Sequence, residues 1–321
     1  MSRRFHVASA AALALLLMAT PASANDKVVG VDAGNCATSL IGTPLTVPKY
    51  SAETQRRLDE DIAIAAAALR IAPDREDSHI WYGRRLDYAG RICDAVDAFT
   101  EGLKHFPDSY KLYRFRARDL TRARRFKEAL ADYEKALELM GDRPDTFEPD
   151  GLPNPIGLTI STYRGNIVYY HAQTSFATGD YATVIAGMAR SLELAADFAR
   201  DDMRVPTAYW TYLAYRKMGQ HDKARAAIDA IEPGLKLIEN FTYYQAVQIM
   251  QGRLNPADVA GTGDSTIKFA IAMERRFSGD ESGAIALLTE IVRENPQGHW
   301  PAEAELAQPH RRDHHVKDRA P

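Results

Sequence analysis

Lys111, Arg114, Arg118 and Arg122 recur at spacings of three, four and four, which places them on one face of a helix. Such a stripe suits carboxylates, because a guanidinium fork grips one carboxylate with two charge-assisted hydrogen bonds. Glu148, Asp150 and His171, with Arg84 and Arg85 upstream, are the nearest thing to an acid–base constellation. General acid–base work needs groups with tuned pKa values converging on one small volume. Nothing in this spacing enforces convergence, so loop carboxylates paired with arginines are the expectation and no catalytic residue is assigned. No phosphate-binding glycine loop, Gly-x-Ser-x-Gly elbow or His-Glu-x-x-His pair occurs. His310, His314 and His315 offer imidazoles to a transition metal. A polar tail lacks the second shell of a built site, so adventitious binding is expected and no metal or cofactor is assigned. Asp201 and Asp202 lack the glycine turn and terminal glutamate of a calcium loop, and read as an N-cap.

The elements that must position these residues belong to an exported chain. Arg3 and Arg4 precede an apolar run of about 13 residues, and Ala22-Ser23-Ala24 fits a small-x-small cleavage site. The run is short of the about 20 residues that span a bilayer. A cleaved signal peptide over 1–24 and a periplasmic or secreted location follow as expectations. The chain has 321 residues, 40 Lys+Arg against 43 Asp+Glu and a net charge of −3, which gives no reason to expect nucleic-acid binding. Its two cysteines, Cys36 and Cys93, suit a disulfide in an oxidising compartment. Closing that loop would contribute roughly 4 kcal/mol on the chain-entropy model.

Internal periodicity decides the fold. Gly83-x-x-Leu86…Gly90-x-Ile92-x-x-Ala95-x-x-x-Phe99-x-x-x-Leu103 recurs 34 residues later as Ala117-x-x-Leu120…Arg124-x-Phe126-x-x-Ala129-x-x-x-Tyr133-x-x-x-Leu137. Pro73 and Pro107 keep the same offset. Each unit reads as two helices with small residues at their crossing and an aromatic filling the space between. Three further units start at Ala172, Tyr212 and Ala272, and the fourth carries Tyr212 where the others have Gly or Ala. A half-unit from about Glu53 to Ile71 caps the N-terminal end, and a helix around Gly234 to Gln251 reads as a brace between units four and five.

The pattern resembles the tetratricopeptide repeat (TPR), whose period is 34. The resemblance implies an all-α, right-handed solenoid of about five helical hairpins over 52–296. Gly83-Arg84-Arg85, Tyr113-Arg114-x-Arg116, Glu148-Pro149-Asp150-Gly151-Leu152-Pro153-Asn154, Asn166-Ile167-x-Tyr169 and Asp201-Asp202-Met203 further resemble a bacterial TPR family without an assigned activity. Three segments fall outside the period: an extended Gly/Pro-rich strap at 25–51, a proline-rich acidic insertion at 141–165, and a segment from 297. Trp300 is expected to seal the last unit, with a polar, disordered tail after about Gln308.

In TPR solenoids the first helix of each unit lines the concave side. That register puts Arg84, Tyr88, Lys111, Arg114, Arg118, Arg122, Asn166, Tyr169, Gln173 and Phe176 in the groove, followed by Tyr209, Arg216 and Lys217. The resemblance therefore implies a protein-interaction module that binds an acidic segment or a C-terminal carboxylate of a peptide. A hydrolase or lyase acting on an anionic envelope polymer is the alternative from the enzyme class, and a structural spacer is a third. Glu148 or Asp150 is expected within ion-pair reach of Arg84, Arg114 or Arg118, which would make the insertion a lid.

Overall fold

The computed structural model describes residues 37–307 except 153, 155, 260 and 262. The expected leader, Cys36 and the histidines at 310, 314 and 315 lie outside the described residues.

Helix α1 (Ala52–Ile71) packs on α2 (Glu76–Tyr88). Four hairpins follow: α2 with α3 (Ile92–His105), α4 (Tyr110–Arg122) with α5 (Phe126–Met140), α6 (Tyr163–Thr178) with α7 (Tyr181–Leu194), and α8 (Arg200–Lys217) with α9 (His221–Asp229). After α10 (Phe241–Met250) and the one-turn α11 (Pro256–Val259), α12 (Ser265–Phe277) and α13 (Glu281–Glu294) form the fifth full hairpin. α14 (Trp300–Ala307) ends the described chain. Consecutive helices from α1 to α9 pack on one another, and α2 touches α4 as α4 touches α6. The result is a solenoid with α2, α4, α6, α8 and α12 as its inner layer.

Local chemistry sets the helix ends. Side chains of Ser51, Ser109, Thr162, Asp180 and Asp280 accept from backbone N–H groups in the first turns of α1, α4, α6, α7 and α13. Each inner helix is followed by a residue in the left-handed region: Gly90 (φ 73°), Arg124 (64°), Gly179 (80°), Gly219 (72°) and Gly279 (91°). Arg124 is the exception in kind, since a side chain there is strained.

Volumes across each hairpin compensate. Gly83 leaves room for the ring of fully buried Phe99, which a Cβ at Gly83 would strike. Ala117 stands in register with Tyr133, Ala172 with Met188, and Ala272 with Leu288, all buried. In unit four the sizes invert, with Tyr212 on the inner helix and Ile228 on the outer. Close packing allows either order as long as the sum fills the space. The Tyr212 hydroxyl donates to Glu274 Oε1 at 2.6 Å and accepts from Arg216 Nη1 at 2.7 Å.

Three expectations change. The helix between units four and five begins at Phe241, not near Gly234, and packs on both α8 and α12. It continues the inner layer as a hairpin whose second helix is cut down to α11, because Pro256 opens that helix soon after the left-handed Gly252. Asp201 and Asp202 lie inside the first turn of α8 and do not cap it. Fully buried Asp202 instead accepts from the backbone N–H groups of Ile238, Glu239 and Asn240 at 2.6, 3.0 and 3.2 Å, holding the α9–α10 loop. Converging N–H groups make a better site for a buried carboxylate than its own helix start.

Trp300, finally, does more than close the last unit: α14 packs on α13 and also turns back along the inner layer. Trp300 stacks on Trp210 of α8 (5.7 Å, 12°) and meets Phe126 of α5 edge-on at 6.2 Å. α14 therefore lies against the inner layer, in contact with α6, where burial of its apolar face joins the core of units three to five. The strap residues 37–46 form a small turn closed by the Thr38–Pro44 bridge, with Leu45 N–H donating to Ala37 O at 3.0 Å. They pack on Ile92 and Ala123 and reach the far end of the chain, Thr46 N–H donating to Pro296 O at 2.8 Å.

Candidate peptide-binding site

The basic stripe of α4 points inward and is largely occupied by the chain's own acids. Arg114 donates through Nε and Nη2 to Glu148 Oε2 and Oε1, both at 3.0 Å, with the two residues 2% and 6% exposed. Its guanidinium lies 4.7 Å from the Tyr170 ring centroid. Arg118 Nη1 donates to Asp87 Oδ2 at 3.0 Å, and Arg122 pairs with Asp87 and, at 3.6 Å, with Asp119. Lys111 sits 3.3 Å from Glu76.

Arg84 donates to Pro149 O at 2.8 Å and to the Tyr88 hydroxyl at 2.7 and 3.0 Å, so Tyr88 is taken up by its neighbour. Tyr88 packs so closely on Gly151 that a Cβ there would overlap its hydroxyl. Glu148 thus ties the insertion to α4, and Pro149 and Gly151 tie it to α2. Asp150 is exposed, with Thr159 as its hydrogen-bond partner. The expected ion pair between the insertion and the stripe is therefore present, as Glu148 on Arg114, and a buried bidentate pair of this kind is a structural clamp.

Of the remaining expected groove residues, Tyr169 is buried in the wall with its ring edge-on to Tyr170 at 5.3 Å, while Asn166 is half-buried. Phe176 belongs to the core against Trp210. Lys217 donates to both oxygens of Glu305 at 2.9 Å, and Arg276 to Glu305 Oε2 at 2.7 Å. The acid–base constellation does not assemble: Glu148 is on Arg114, His171 lies 3.8 Å from Glu134, and Arg85 lies 3.3 Å from Asp61. Cys93 packs beside Ala37 and Leu45 and carries no free thiol. Among the described residues no cluster of His, Cys, Asp or Glu fits a metal ion.

The C-terminal segment crosses this face. Arg124 forms an ion pair with fully buried Glu303 and donates to Gln297 O at 3.0 Å. Leu40 N–H also donates to Glu303, at 3.0 Å, and Gln297 Nε2 donates to Gly90 O at 2.7 Å.

Between this segment and the inner layer a cavity of about 270 Å3 remains, with Arg122, Gln173, Trp210, Tyr243, His299 and Trp300 on its walls. Arg122, Gln173 and Tyr209 are the three expected residues that the fold brings together there, with Arg122 Nη2 donating to Gln297 Oε1 at 2.7 Å. Burial lowers the His299 pKa to about 4, so its ring is neutral at pH 7. Nδ1 accepts from Ala302 N–H at 3.2 Å, which assigns the ring proton to Nε2. Burial also pushes the Asp119 carboxyl up to about 7, against the pull of Arg118 and Arg114. Near neutral pH the cluster of Arg84, Arg114, Arg118 and Arg122 is therefore not fully balanced by Glu148, Asp87 and Asp119.

Sequence reasoning missed the pairing of Asp87 and Asp119 with the stripe, which offsets part of its charge, and the parts played by Arg124, His299, Glu303 and Glu305. One signal was available for Arg124: it occupies the turn position that is glycine in the other four full units. The partners of Glu303 and Glu305 had no local signature.

No protein-family model matches the chain, and no curated protein matches its sequence. The narrower resemblance to a bacterial family thus has no matching family model. Among solved structures, a tetratricopeptide repeat protein from Parabacteroides merdae is similar at 12% identity and a TM-score of 0.48, over 79% of this chain and 94% of that one. YrrB, a TPR protein with an unusual peptide-binding site, is similar at 13% identity and a TM-score of 0.40, over 75% of this chain and 97% of that one. The APC/C hetero-tetramer Cut9–Hcn1 is similar at 15% identity and a TM-score of 0.46, over 79% of this chain and 40% of that one, so this chain spans less than half its length. The 34-residue period, the stacked hairpins and the left-handed turn after each inner helix make this chain an all-α solenoid of the tetratricopeptide-repeat type.

Proposed function

We propose that this chain is an exported protein-interaction module whose inner face takes the C-terminal, carboxylate-bearing end of a peptide in the cavity beside Arg122 and Gln173. The observation that carries the reading is the meeting of Arg122 with Gln173 and the Trp210, Tyr243 and Trp300 rings around a cavity that the chain leaves unfilled. About 270 Å3 falls below the roughly 300–1,000 Å3 of pockets for drug-sized ligands. It suits a terminal side chain with its carboxylate better than a long segment. The donors on the wall, the Arg122 guanidinium that Asp87 and Gln297 already share and the Gln173 amide, match an acceptor-rich group that would compete for them. The insertion lines no wall of this cavity; with Glu148 buried on Arg114 it covers the neighbouring face of α2 and α4. Export follows from the leader-like N-terminus, and the absence of a free thiol at Cys93 fits an oxidising compartment with Cys36 as partner.

Trp210 and Trp300 report on the cavity directly. Short peptides ending in an aromatic residue should change tryptophan fluorescence saturably as free acids. Their C-terminal amides should bind about tenfold more weakly or worse, as expected for loss of a hydrogen bond to a charged group. Arg122→Gln should abolish the distinction. Equal binding of acid and amide, or binding of neither, would sink the proposal.

A further inference from the structure

Six of the exposed large apolar side chains, Phe147, Leu152, Ile156, Leu158, Phe198 and Phe241, belong to the insertion and to the two segments it meets. Leu152 is 71% exposed. Side by side in space, these segments form one surface: the Phe147 and Phe198 rings lie 6.2 Å apart, and Asn154 Nδ2 donates to Glu239 at 3.3 Å. Asn154 also folds its own turn, accepting from Ile156 and Leu158 N–H at 3.3 and 3.2 Å and donating to Leu158 O. Asp202 closes the circuit by holding the 238–240 backbone to the first turn of α8, next to Phe198. The exposed apolar residues are thus presented on a braced scaffold, and a contiguous patch of this kind marks an interaction site.

The charges around the patch choose its occupant. Arg200 and Arg204 on the α8 side are held by Asp197 at 3.1 Å and Asp201 at 3.7 Å. Asp150 and Glu239 make hydrogen bonds to Thr159 and Asn154, and no ion pair to either is present among the described residues. Elsewhere in the array most inward acids have a guanidinium or ammonium against them, so these two exposed carboxylates stand apart. Desolvation raises both pKa values, against the pull of the Thr159 hydrogen bond and Arg84 on Asp150 and of Asn154 on Glu239, a penalty that an incoming cation would relieve further.

We propose that the insertion and the α9–α10 loop form a second docking surface, for a protein segment that carries lysine or arginine between apolar side chains. The cations would meet Asp150 and Glu239 while the apolar residues cover Leu152, Ile156 and Phe147. This surface is formed by other residues than the cavity, so it stands or falls independently of the peptide-carboxylate site.

The test uses the full chain and a labelled peptide alternating lysine with leucine, beside its glutamate-for-lysine counterpart. Saturable binding of the lysine peptide in preference to the glutamate one is expected. Leu152→Ser with Ile156→Ser, and separately Asp150→Asn with Glu239→Gln, should each weaken it about tenfold or more, with the helical circular dichroism unchanged. Equal affinity for both peptides, or indifference to both double variants, would overturn the proposal. So would self-association that the Leu152/Ile156 variant abolishes in a chain that binds no lysine peptide, because a second copy would then be the occupant. The Arg122→Gln variant should bind the lysine peptide normally, which separates failure of this surface from failure of the cavity.

Discussion

His299 shows how one residue couples the site to pH. Its pKa falls from the ordinary 6.5 to about 4 because the ring is buried. A depressed folded-state pKa contributes stability that is present above 6.5 and lost as pH falls towards 4. The difference amounts to about 3 kcal/mol as an upper figure. Asp119 acts in the opposite sense, since its carboxyl rises from 3.8 to about 7 and favours folding at lower pH. The clean comparison is therefore between variant and parent. His299→Gln should lack the parent's His299-dependent loss of stability between pH 6.5 and 4, and urea titrations at several pH values would show the two curves converging as pH falls. Parallel curves would mean that the ring titrates alike in the folded and the unfolded chain.

At the scale of elements, the insertion is held by one buried charge pair and several backbone contacts. Removing only the acid strands the Arg114 guanidinium away from water, which is more damaging than never having had the pair. Glu148→Ala should destabilise the chain by about 3–5 kcal/mol, and Glu148→Gln by less, because the amide oxygen still accepts from Arg114. Thermal unfolding measures both. A Glu148→Ala protein as stable as its parent would show that the insertion is detachable and restore the lid reading.

For the whole molecule, the decisive feature is that the two ends of the array are joined. A solenoid stabilised by nearest neighbours behaves as a sum of its repeats. Here Leu40, Thr46, Gly90 and Arg124 all bond to residues between Pro296 and Glu303. Arg124 bears a conflict between local and global demands. Its left-handed φ of 64° costs about 1–2 kcal/mol, which glycine would relieve. Its pair with fully buried Glu303 is the larger effect, since an uncompensated buried charge costs about 3–5 kcal/mol. Arg124→Gly should therefore lower the Tm despite the easier turn, and Arg124→Gly with Glu303→Gln should recover part of the loss. If the single variant were as stable as the parent, closure through Glu303 would carry no weight in the fold.

The sequence by itself determined the hairpins, their register and their turns. Those depend on periodicity and on residues close in the chain: Gly83 beneath Phe99, Ala117 beneath Tyr133, and glycine after most of the inner helices. The inward stripe on α4 was legible for the same reason, and so was the attraction between the insertion's acids and that stripe, because opposite charges a loop apart find each other. What each arginine meets across the groove was not. Asp87 and Asp119 look like ordinary helix-surface acids until the inner helices stack, and Glu303 has no neighbour in sequence that foretells Arg124. The path of α14 was decided only by tertiary packing. Trp300 meets Trp210 and Phe126 from across the array while α14 still packs on α13, and a hydrophobic preference carries no direction along the chain. That choice of path converted an open basic groove into a closed face with one small cavity.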